Sequence, residues 1–408
     1  MRRVVVTGMG IVSCIGNGLD EVANALRSGV PGIGPASEFA AAGLRSRVAG
    51  IPSLEALPTV KRTLRRFMSD PALYAYHAAC GALADAKLPA DLLGSARTGL
   101  IVGSGASSGI ELVETVTLAR EHGAHNVAPY AVARVMSNTA SANLVTAFGI
   151  RGTSYSLVSA CATSAHCIGH GAELIQLGKL DRVIVGGSEE VRWTTALVFD
   201  AMGALSRGFN DTPQWASRPY DKRRDGFVLA GGAGVLVLEE LESALARGAR
   251  VRAELVGYGT SSDGANMVTP RAEGIARAMN MALEEAKTND IDYINTHATS
   301  TQVGDRTELE AIREVFGERP PLISSTKGLT GHAIGASGAH EAIFCLLMME
   351  RGFVAACANL FEPDPETRGL PLVTVAREAS LETVLTNSLG FGSTNASLVF
   401  RRWHAKSG

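Results

Sequence analysis

Cys161 stands in a setting that favours nucleophilic chemistry. Residues 155–158 form an extended apolar segment, a run of small residues follows, and apolar positions recur at helical spacing over residues 165–177. The thiol therefore lies at or just before the first turn of a helix, where free N–H groups and the macrodipole favour an anion. We expect these groups to promote ionisation to the thiolate, the attacking form. The alternative is a small buried hydrophobic residue, the usual role of an intracellular cysteine.

Two histidines occur where apolar strands run into polar loops. His297 lies in the segment 292–305, which passes from an apolar strand into a hydroxyl-rich loop, and His332 lies in 324–335, where a glycine-rich turn follows. Loops after strand ends form the ligand sites of open α/β sheets, because the sheet holds them rigidly. We expect both histidines to meet Cys161 at one point.

Composition and charge exclude several classes of protein. A formal net charge of −2 argues against an extended nucleic-acid surface. No apolar run approaches the ~20 residues that cross a bilayer, and the N-terminus runs directly into a strand rather than a secretory signal. The six cysteines have no paired spacing, which favours free thiols in a reducing compartment. We therefore predict a cytoplasmic protein with no nucleic-acid partner and no membrane insertion.

The pattern of elements suggests an internal duplication. A chain of 408 residues is too long for one ordinary core. Strands alternate with helices from a first strand at residues 3–7, the pattern restarts near residues 252–259, and residues 338–349 resemble the helix after Cys161. We predict an N-terminal half, 1–250, with an inserted region, 107–147, that contributes to a dimer and pocket, and a C-terminal half, 251–408.

Several motifs resemble the beta-ketoacyl-acyl-carrier-protein synthases. They are residues 65–70, 159–169, 199–206, 224–228 and 390–396, and the resemblance extends over nearly the whole chain. It is closest to the type I enzymes of bacterial fatty acid synthesis. The resemblance implies an α/β protein with the thiolase-like fold, a five-layered α/β/α/β/α sandwich of two duplicated halves.

The family resemblance implies a decarboxylative Claisen condensation that elongates a fatty acid. Cys161 accepts the acyl group, malonyl carrier protein loses carbon dioxide, and 3-oxoacyl-acyl carrier protein forms. His297 and His332 donate hydrogen bonds to the enolate. Backbone N–H groups of Cys161 and Phe391 form the oxyanion hole.

Two charged residues and two threonines complete the implied site. Lys327 resembles the lysine that supports the histidines, and Glu341 resembles its buried ion-pair partner. An exposed lysine and a solvated glutamate are the commoner alternatives. Thr299 and Thr301 face the same side of an extended segment and resemble the residues that bind the pantetheine arm. Their alternative is a local bond to loop backbone.

The remaining predictions concern substrate, partner and cofactor. The resemblance assigns substrate binding to Ala106, Phe199 and Met202, and docking of an acidic acyl carrier protein to Lys61, Arg62, Arg65 and Arg66. It also implies a homodimer whose interface completes the pocket. No cofactor is predicted, since the carrier's phosphopantetheine delivers the substrates. No dinucleotide cofactor is predicted, because residues 7–13 match the dinucleotide-binding motif only in part. No metal is predicted, because the pair His166 and His170 lacks a third ligand.

Departures from the family pattern leave alternatives open. Ala298 and Gln302 replace the usual glycine and proline, and Leu389 and Ser393 replace phenylalanine and glycine. We expect Ala298 to resist a positive φ. The alternatives are a type II synthase or a specialised polyketide or secondary-lipid ketosynthase. A non-decarboxylating thiolase usually has a second cysteine near the C-terminus, which residues 390–395 lack, and a noncatalytic partner subunit typically lacks the cysteine that this chain retains.

Overall fold

The structure, a computed structural model, describes residues 1–405. Its strands are β1 (Val4–Val12), β2 (Gly34–Pro35), β3 (Val48–Ala49), β4 (Thr98–Gly103), β5 (Ser154–Tyr155), β6 (Arg182–Glu189), β7 (Gly232–Glu240), β8 (Ala253–Ser262), β9 (Tyr293–Asn295), β10 (Leu322–Ser324), β11 (Phe353–Val354), β12 (Arg377–Glu378), β13 (Thr383–Gly390) and β14 (Thr394–Arg402).

The α-helices are α1 (Leu19–Ser28), α2 (Ser37–Ala41), α3 (Arg62–Arg65), α4 (Asp70–Ala86), α5 (Ala90–Leu93), α6 (Gly109–His122), α7 (Ala131–Val135), α8 (Thr139–Phe148), α9 (Thr163–Gln176), α10 (Trp193–Met202), α11 (Leu241–Ala246), α12 (Ala272–Ala286), α13 (Gln302–Phe316), α14 (Lys327–Thr330) and α15 (Ser337–Arg351). Short 3₁₀ helices cover Ala124–Asn126, Ala160–Ala162, Pro213–Trp215, Ile334–Ala336 and Pro365–Thr367.

Both halves of the chain build the same five-stranded arrangement. The ten-stranded sheet has the order β10-β9-β13-β14-β8-β1-β7-β6-β4-β5. If the sheet strands of each half are numbered by appearance, both halves have the order 3-2-4-5-1, with two parallel pairings followed by two antiparallel ones. The halves meet where β1 and β8 pair antiparallel, as in Val4 with Leu255. The predicted duplication is confirmed.

Helices cover and separate the two halves of the sheet. Helices α9 and α15 touch each other between them: α9 packs on β6 and β14, and α15 packs on β13 and β7. Helix α4 covers β1 and β7 on one outer side, and α12 covers β8 and β14 on the other. A helix that is buried all round belongs between layers, and α15 is buried from Ser337 to Met349. The predicted five-layered sandwich is confirmed.

Several element boundaries differ from those that the sequence predicts. The strand predicted over residues 3–7 continues to Val12, whereas residues 156–158 lie outside β5. The helix predicted over 165–177 begins earlier, at Thr163. Gly10 lies in the part of β1 that exceeds the prediction. A Cβ there would lie 2.0 Å from the carbonyl oxygen of Ala78 in α4, so the glycine permits close helix-on-strand packing.

The predicted division between residues 250 and 251 falls between α11 and β8, and the predicted insertion, residues 107–147, contains α6, α7 and most of α8. Among residues 1–405, none of the helices has both the length and the apolar character needed to cross a membrane.

Candidate active site

Three parallel strands of the C-terminal half deliver side chains to one edge of the sheet. Strand β9 pairs in parallel with β10 and with β13, so their carboxyl ends point the same way. His297 follows β9 by two residues, Lys327 follows β10 by three, and Phe391 follows β13 directly. His332 lies between α14 and α15, where its backbone N–H donates to Val228 O at 2.7 Å.

Cys161 reaches the same point from the N-terminal half. It lies in the 3₁₀ helix Ala160–Ala162, immediately before α9, and is 8% exposed. Its sulfur and one ring nitrogen each from His297 and His332 lie within 4.8 Å of one another. The two imidazole rings are perpendicular, at 89°, with centroids 5.0 Å apart. The structure therefore brings the three side chains together in one pocket.

The expected activation of the free thiol is wrong. Burial raises the pKa of Cys161 to about 12, and the carboxyl of Glu189 acts in the same direction. Lys327 and the N–H groups of Phe391 and Cys161 lower the pKa without overcoming that burial. The helix terminus alone predicted a lowered pKa, because the sequence does not show how completely the sulfur is buried away from water. Both N–H groups assigned to the oxyanion hole thus favour the thiolate.

Both histidines are neutral at pH 7. Burial lowers the pKa of His297 and of His332 well below 6.5, and the Lys327 ammonium lowers both further. His332 Nδ1 lies 3.0 Å from Ser337 Oγ. His297 Nδ1 is buried and has no hydrogen-bond partner within the described residues. Neutral imidazoles of this kind have an N–H to donate to a substrate oxygen.

Lys327 and Glu341 form a buried ion pair, each 1% exposed. Burial raises the pKa of Glu341, and the ammonium of Lys327 opposes that shift. The alternatives of an exposed lysine and a solvated glutamate are wrong. One oxygen of Glu341, Oε2, has no hydrogen-bond partner among residues 1–405.

A cavity of about 280 Å³ opens onto the cysteine and both histidines. Its walls include four of the residues assigned to substrate, Phe199, Met202, Thr299 and Thr301, and three of the departures, Ala298, Leu389 and Ser393. The hydroxyls of Thr299 and Thr301 lie 3.2 Å apart. The two threonines thus share one wall.

Ala106 does not belong to this cavity. It is exposed, and its N–H donates to Glu189 Oε1 at 3.2 Å. Its segment is held against the core because Glu189 also accepts from Gly105 N at 2.7 Å and from Gly335 N at 3.0 Å. Any contact between Ala106 and an acyl chain must therefore form outside the cavity of the single chain.

The basic residues assigned to carrier docking lie at α3. Lys61, Arg62 and Arg66 are exposed, and Arg65 is half-buried because its guanidinium donates to Met68 O at 2.6 Å. Three of the four cations are thus available at the surface.

Sequence reasoning missed two buried carboxylates that hold the site. Glu308 accepts from the N–H groups of His297 and Ala298, both at 2.9 Å, and from Asn387 Nδ2 at 3.0 Å. Burial raises the pKa of Glu308, and that of Glu189, to about 7. A signal for Glu308 was present, since it shares a helical stripe with Leu309 and Ile312, and an acidic residue on an apolar stripe is unusual.

The departures have different backbone settings. Ala298 does not adopt a positive φ, in agreement with the expectation that alanine resists one. Ser393 does, at φ 62°, and Gln302 is exposed at the start of α13. Leu389 lies in β13 and is 9% exposed.

The cluster of Cys161, His297 and His332 also has donor types that bind zinc. The sulfur and the two ring nitrogens lie within 4.8 Å of one another, whereas ligands of tetrahedral zinc lie about 3.5 Å apart. The nearby Lys327 ammonium would also repel a cation. His166 and His170 are engaged elsewhere, at 2.7 Å from Ser159 Oγ and Tyr155 Oη respectively. The absence of a metal stays a prediction.

The layered fold and a cysteine facing two histidines define a thiolase-type condensing enzyme. The beta-ketoacyl synthase N-terminal domain matches residues 1–244, and the beta-ketoacyl synthase C-terminal domain matches residues 252–361. The chain belongs to the beta-ketoacyl synthase family.

Named relatives span the whole chain. The 3-oxoacyl-[acyl-carrier-protein] synthase 1 of Haemophilus influenzae is 51% identical over 99% of this chain and 100% of the relative. The 3-oxoacyl-[acyl-carrier-protein] synthase 2 of Vibrio cholerae is 40% identical over 98% of this chain and 99% of the relative. The chain is therefore more similar to this synthase 1 than to this synthase 2, as predicted.

Solved structures agree with the fold. A beta-ketoacyl synthase from Burkholderia phymatum superposes with a TM-score of 0.94, at 38% identity, covering 99% of this chain and 100% of the other. A type II polyketide ketosynthase, solved with its acyl-carrier protein and bound to the hexaketide, superposes with a TM-score of 0.88, at 29% identity, covering 99% and 100%.

Proposed function

We propose that this chain catalyses the decarboxylative condensation of an acyl group with malonyl-acyl carrier protein, the elongation step of fatty acid synthesis. The observation that carries the proposal is the meeting of Cys161, His297 and His332 in one cavity. The name of the Haemophilus relative supports the same reaction.

The acyl transfer uses the thiol in its buried state. Cys161 sulfur bonds to the acyl carbon, the thioester bond to the carrier breaks, and the thiol proton passes to the departing carrier sulfur. The N–H groups of Cys161 and Phe391 would donate to the tetrahedral oxyanion, and both act on the Cys161 thiol by lowering its pKa, which supports this role. Because a proton leaves one sulfur and reaches another, the exchange balances despite the raised pKa of the thiol.

The second half-reaction uses the histidines. The bond from the malonyl carbon to its carboxylate breaks, and the electron pair forms an enolate whose oxygen accepts from the N–H groups of His297 and His332. Carbon dioxide departs, the enolate carbon attacks the acyl carbon, and the bond from that carbon to Cys161 sulfur breaks. The thiolate then takes up one proton from solvent, so each condensation consumes one proton. Burial keeps both histidines neutral, and the Lys327 ammonium acts in the same direction. Glu341 balances the charge of Lys327.

The direct test is a reconstituted reaction with an acyl carrier protein and malonyl carrier labelled in its free carboxyl group. We expect labelled carbon dioxide and a product two carbons longer. The elongated product should be lost in Cys161→Ala and kept in the matched variant Cys80→Ala, which removes a cysteine outside the cavity. Acyl-enzyme formation by Cys161→Ala would contradict the proposal. Condensation without carbon dioxide release would instead indicate a non-decarboxylating thiolase.

A polyketide ketosynthase is the second candidate, favoured by the polyketide enzyme among the structural relatives. With malonyl carrier in excess and no reductase present, a condensing enzyme of fatty acid synthesis should stop after one condensation. A polyketide enzyme adds several units. Product masses separate the two.

Carrier docking at Lys61, Arg62, Arg65 and Arg66 is part of the proposal, since an exposed basic cluster suits an acidic partner. The carrier's phosphopantetheine supplies both acyl groups, so the reaction needs no further cofactor. A cytoplasmic location agrees with six free cysteines, and fractionation with a cytoplasmic marker enzyme tests it.

A homodimer is also part of the proposal, and the features that support it lie at the β5 end of the sheet. Strand β5 is an edge strand, and α6, from the segment between β4 and β5, exposes Leu112, Val113 and Val116 by 41–54%. An open edge beside exposed apolar side chains favours a covering partner. Light scattering of the purified chain should give twice the mass of 42.6 kDa, and a monomer would contradict this part.

A further inference from the structure

The loop after β13 carries an unusual residue. Gly390 pairs with Thr394, so residues 391–393 form a three-residue hairpin loop. Such loops use glycine where φ is positive, and Gly392 meets this need at φ 87°, but Ser393 also has a positive φ, 62°. A side chain at this angle is strained, because its Cβ crowds the following carbonyl.

A hydrogen bond offsets the strain at Ser393. Its hydroxyl donates to the carbonyl of Asn266, in the loop that follows β8. That loop is organised by Asn266 itself, whose Oδ1 accepts from the N–H groups of Val268 at 2.9 Å and Thr269 at 3.0 Å. The acceptor of Ser393 is therefore fixed in place.

Two backbone bonds join the same loops. Gly392 N donates to Met267 O at 2.8 Å, and Asp263 N donates to Ser393 O at 2.9 Å. The hydroxyl is thus the one side-chain bond among three described links, and it acts on the strained residue.

The hairpin loop lies directly over the nucleophile. Cys161, Gly390 and Phe391 line the same cavity, and the N–H of Phe391 lowers the pKa of the Cys161 thiol. The Phe391 ring, 36% exposed, lies 6.2 Å from that of Phe199. On the strand side, a Cβ at Gly390 would come within 2.6 Å of Ser159 O, so the loop is closely seated there. A shift of the loop would move the Phe391 N–H first.

We propose that Ser393 is a positioning residue whose hydroxyl, anchored on the Asn266 carbonyl, holds the Phe391 N–H against Cys161 sulfur. The inference rests on the proposed function only in taking Cys161 as the nucleophile. The charged and titratable groups around the sulfur are Lys327, Glu189, His297 and His332. Substitution of Ser393 changes none of these groups. A change in the reactivity of Cys161 would therefore reflect a change in the position of the Phe391 N–H.

The test is the rate of Cys161 alkylation by iodoacetamide as a function of pH, followed by peptide mass. Ser393→Ala keeps the strain and loses the bond, so we expect about two- to tenfold slower alkylation at pH 8 and a profile displaced to higher pH. Ser393→Gly loses the bond and the strain together, so its loss should be smaller. Ser28→Ala, which removes a comparable hydroxyl-to-carbonyl bond in exposed α1, should match the wild type.

Superposable profiles for wild type and Ser393→Ala would overturn the inference and leave the proposed function intact. If Ser393→Ala fails to fold by circular dichroism, Ser393→Gly decides, and a profile equal to wild type would then overturn it. A wild type whose Cys161 resists the reagent at every pH, while Cys80 reacts, would count against the proposed function as well.

Discussion

The two halves of this chain share one topology and differ in the residues that follow their strands. Each half packs a helix on a glycine-rich strand: a Cβ at Gly10 would lie 2.0 Å from Ala78 O, and one at Gly259 would lie 2.0 Å from Ala278 O. Each half also has a short 3₁₀ helix before its central helix, Ala160–Ala162 before α9 and Ile334–Ala336 before α15. Packing is thus the same on both sides.

The chemistry is divided between the halves. The N-terminal half provides the cysteine before α9, and the C-terminal half provides both histidines, the lysine and the Phe391 N–H from its loops. The comparison teaches that the repeated scaffold sets where loops meet, while the side chains on those loops differ in chemistry: a thiol for acyl transfer on one side and imidazoles for decarboxylation on the other. Substituting the cysteine or the histidines should therefore impair one half-reaction selectively, whereas the Phe391 N–H of the C-terminal half serves acyl transfer.

The largest expected effect is on decarboxylation. His297→Ala and His332→Ala each remove one donor to the enolate oxygen, so carbon dioxide release should fall about 100- to 1000-fold. Acyl-enzyme formation on Cys161, measured by intact mass after mixing with acyl carrier, should stay within a few fold of wild type. If a histidine variant loses acyl-enzyme formation as severely as carbon dioxide release, the separate roles of the cysteine and the histidines would be contradicted.

A smaller effect is expected at the contact between the central helices. A Cβ at Gly338 in α15 would lie 2.8 Å from the backbone nitrogen of Ala165 in α9, so Gly338→Ala should lower the free energy of unfolding by about 1–3 kcal/mol. Gly81→Ala in α4 is the matched control, because its nearest contact is 3.4 Å and alanine favours a helix. Urea unfolding measures both; equal stabilities would contradict this packing.

The positive charge of Lys327 should affect the pH dependence of carbon dioxide release. The ammonium lowers the pKa of both histidines, so Lys327→Met should raise their pKa values toward 6.5. Protonation then removes the neutral state at a higher pH, and the acid limb of the rate of carbon dioxide release should move upward by about one pH unit or more. Glu341→Gln keeps the ammonium and should not move the limb upward. An unmoved limb in Lys327→Met would contradict the electrostatic role.

The smallest effect concerns carrier docking. Arg62→Glu with Arg66→Glu should raise KM for the acyl carrier several-fold at low salt, leave kcat nearly unchanged, and lose most of its effect at high salt. Arg250→Glu, an exposed arginine outside the α3 cluster, is the control. A change in kcat with constant KM would place the effect at the chemical step instead.

The layered fold was predicted from the family resemblance, whereas the duplication was predicted from the residues themselves, because repeated strand–helix units leave a sequence pattern. The meeting of Cys161, His297 and His332 was also expected, while their roles stay predictions. Two features escaped prediction for physical reasons. The pKa of Cys161 depends on desolvation by both halves at once, and the holding role of Glu189 depends on N–H groups far away in the chain.

The central claim is tested most directly by following both half-reactions in Cys161→Ala. This variant lacks the nucleophile of one half and keeps the donors of the other. With labelled malonyl carrier it should still release carbon dioxide and give acetyl carrier, while forming no acyl-enzyme and no condensation product. If it releases no carbon dioxide although it folds as the wild type does, the two halves do not divide the reaction, and the account is contradicted.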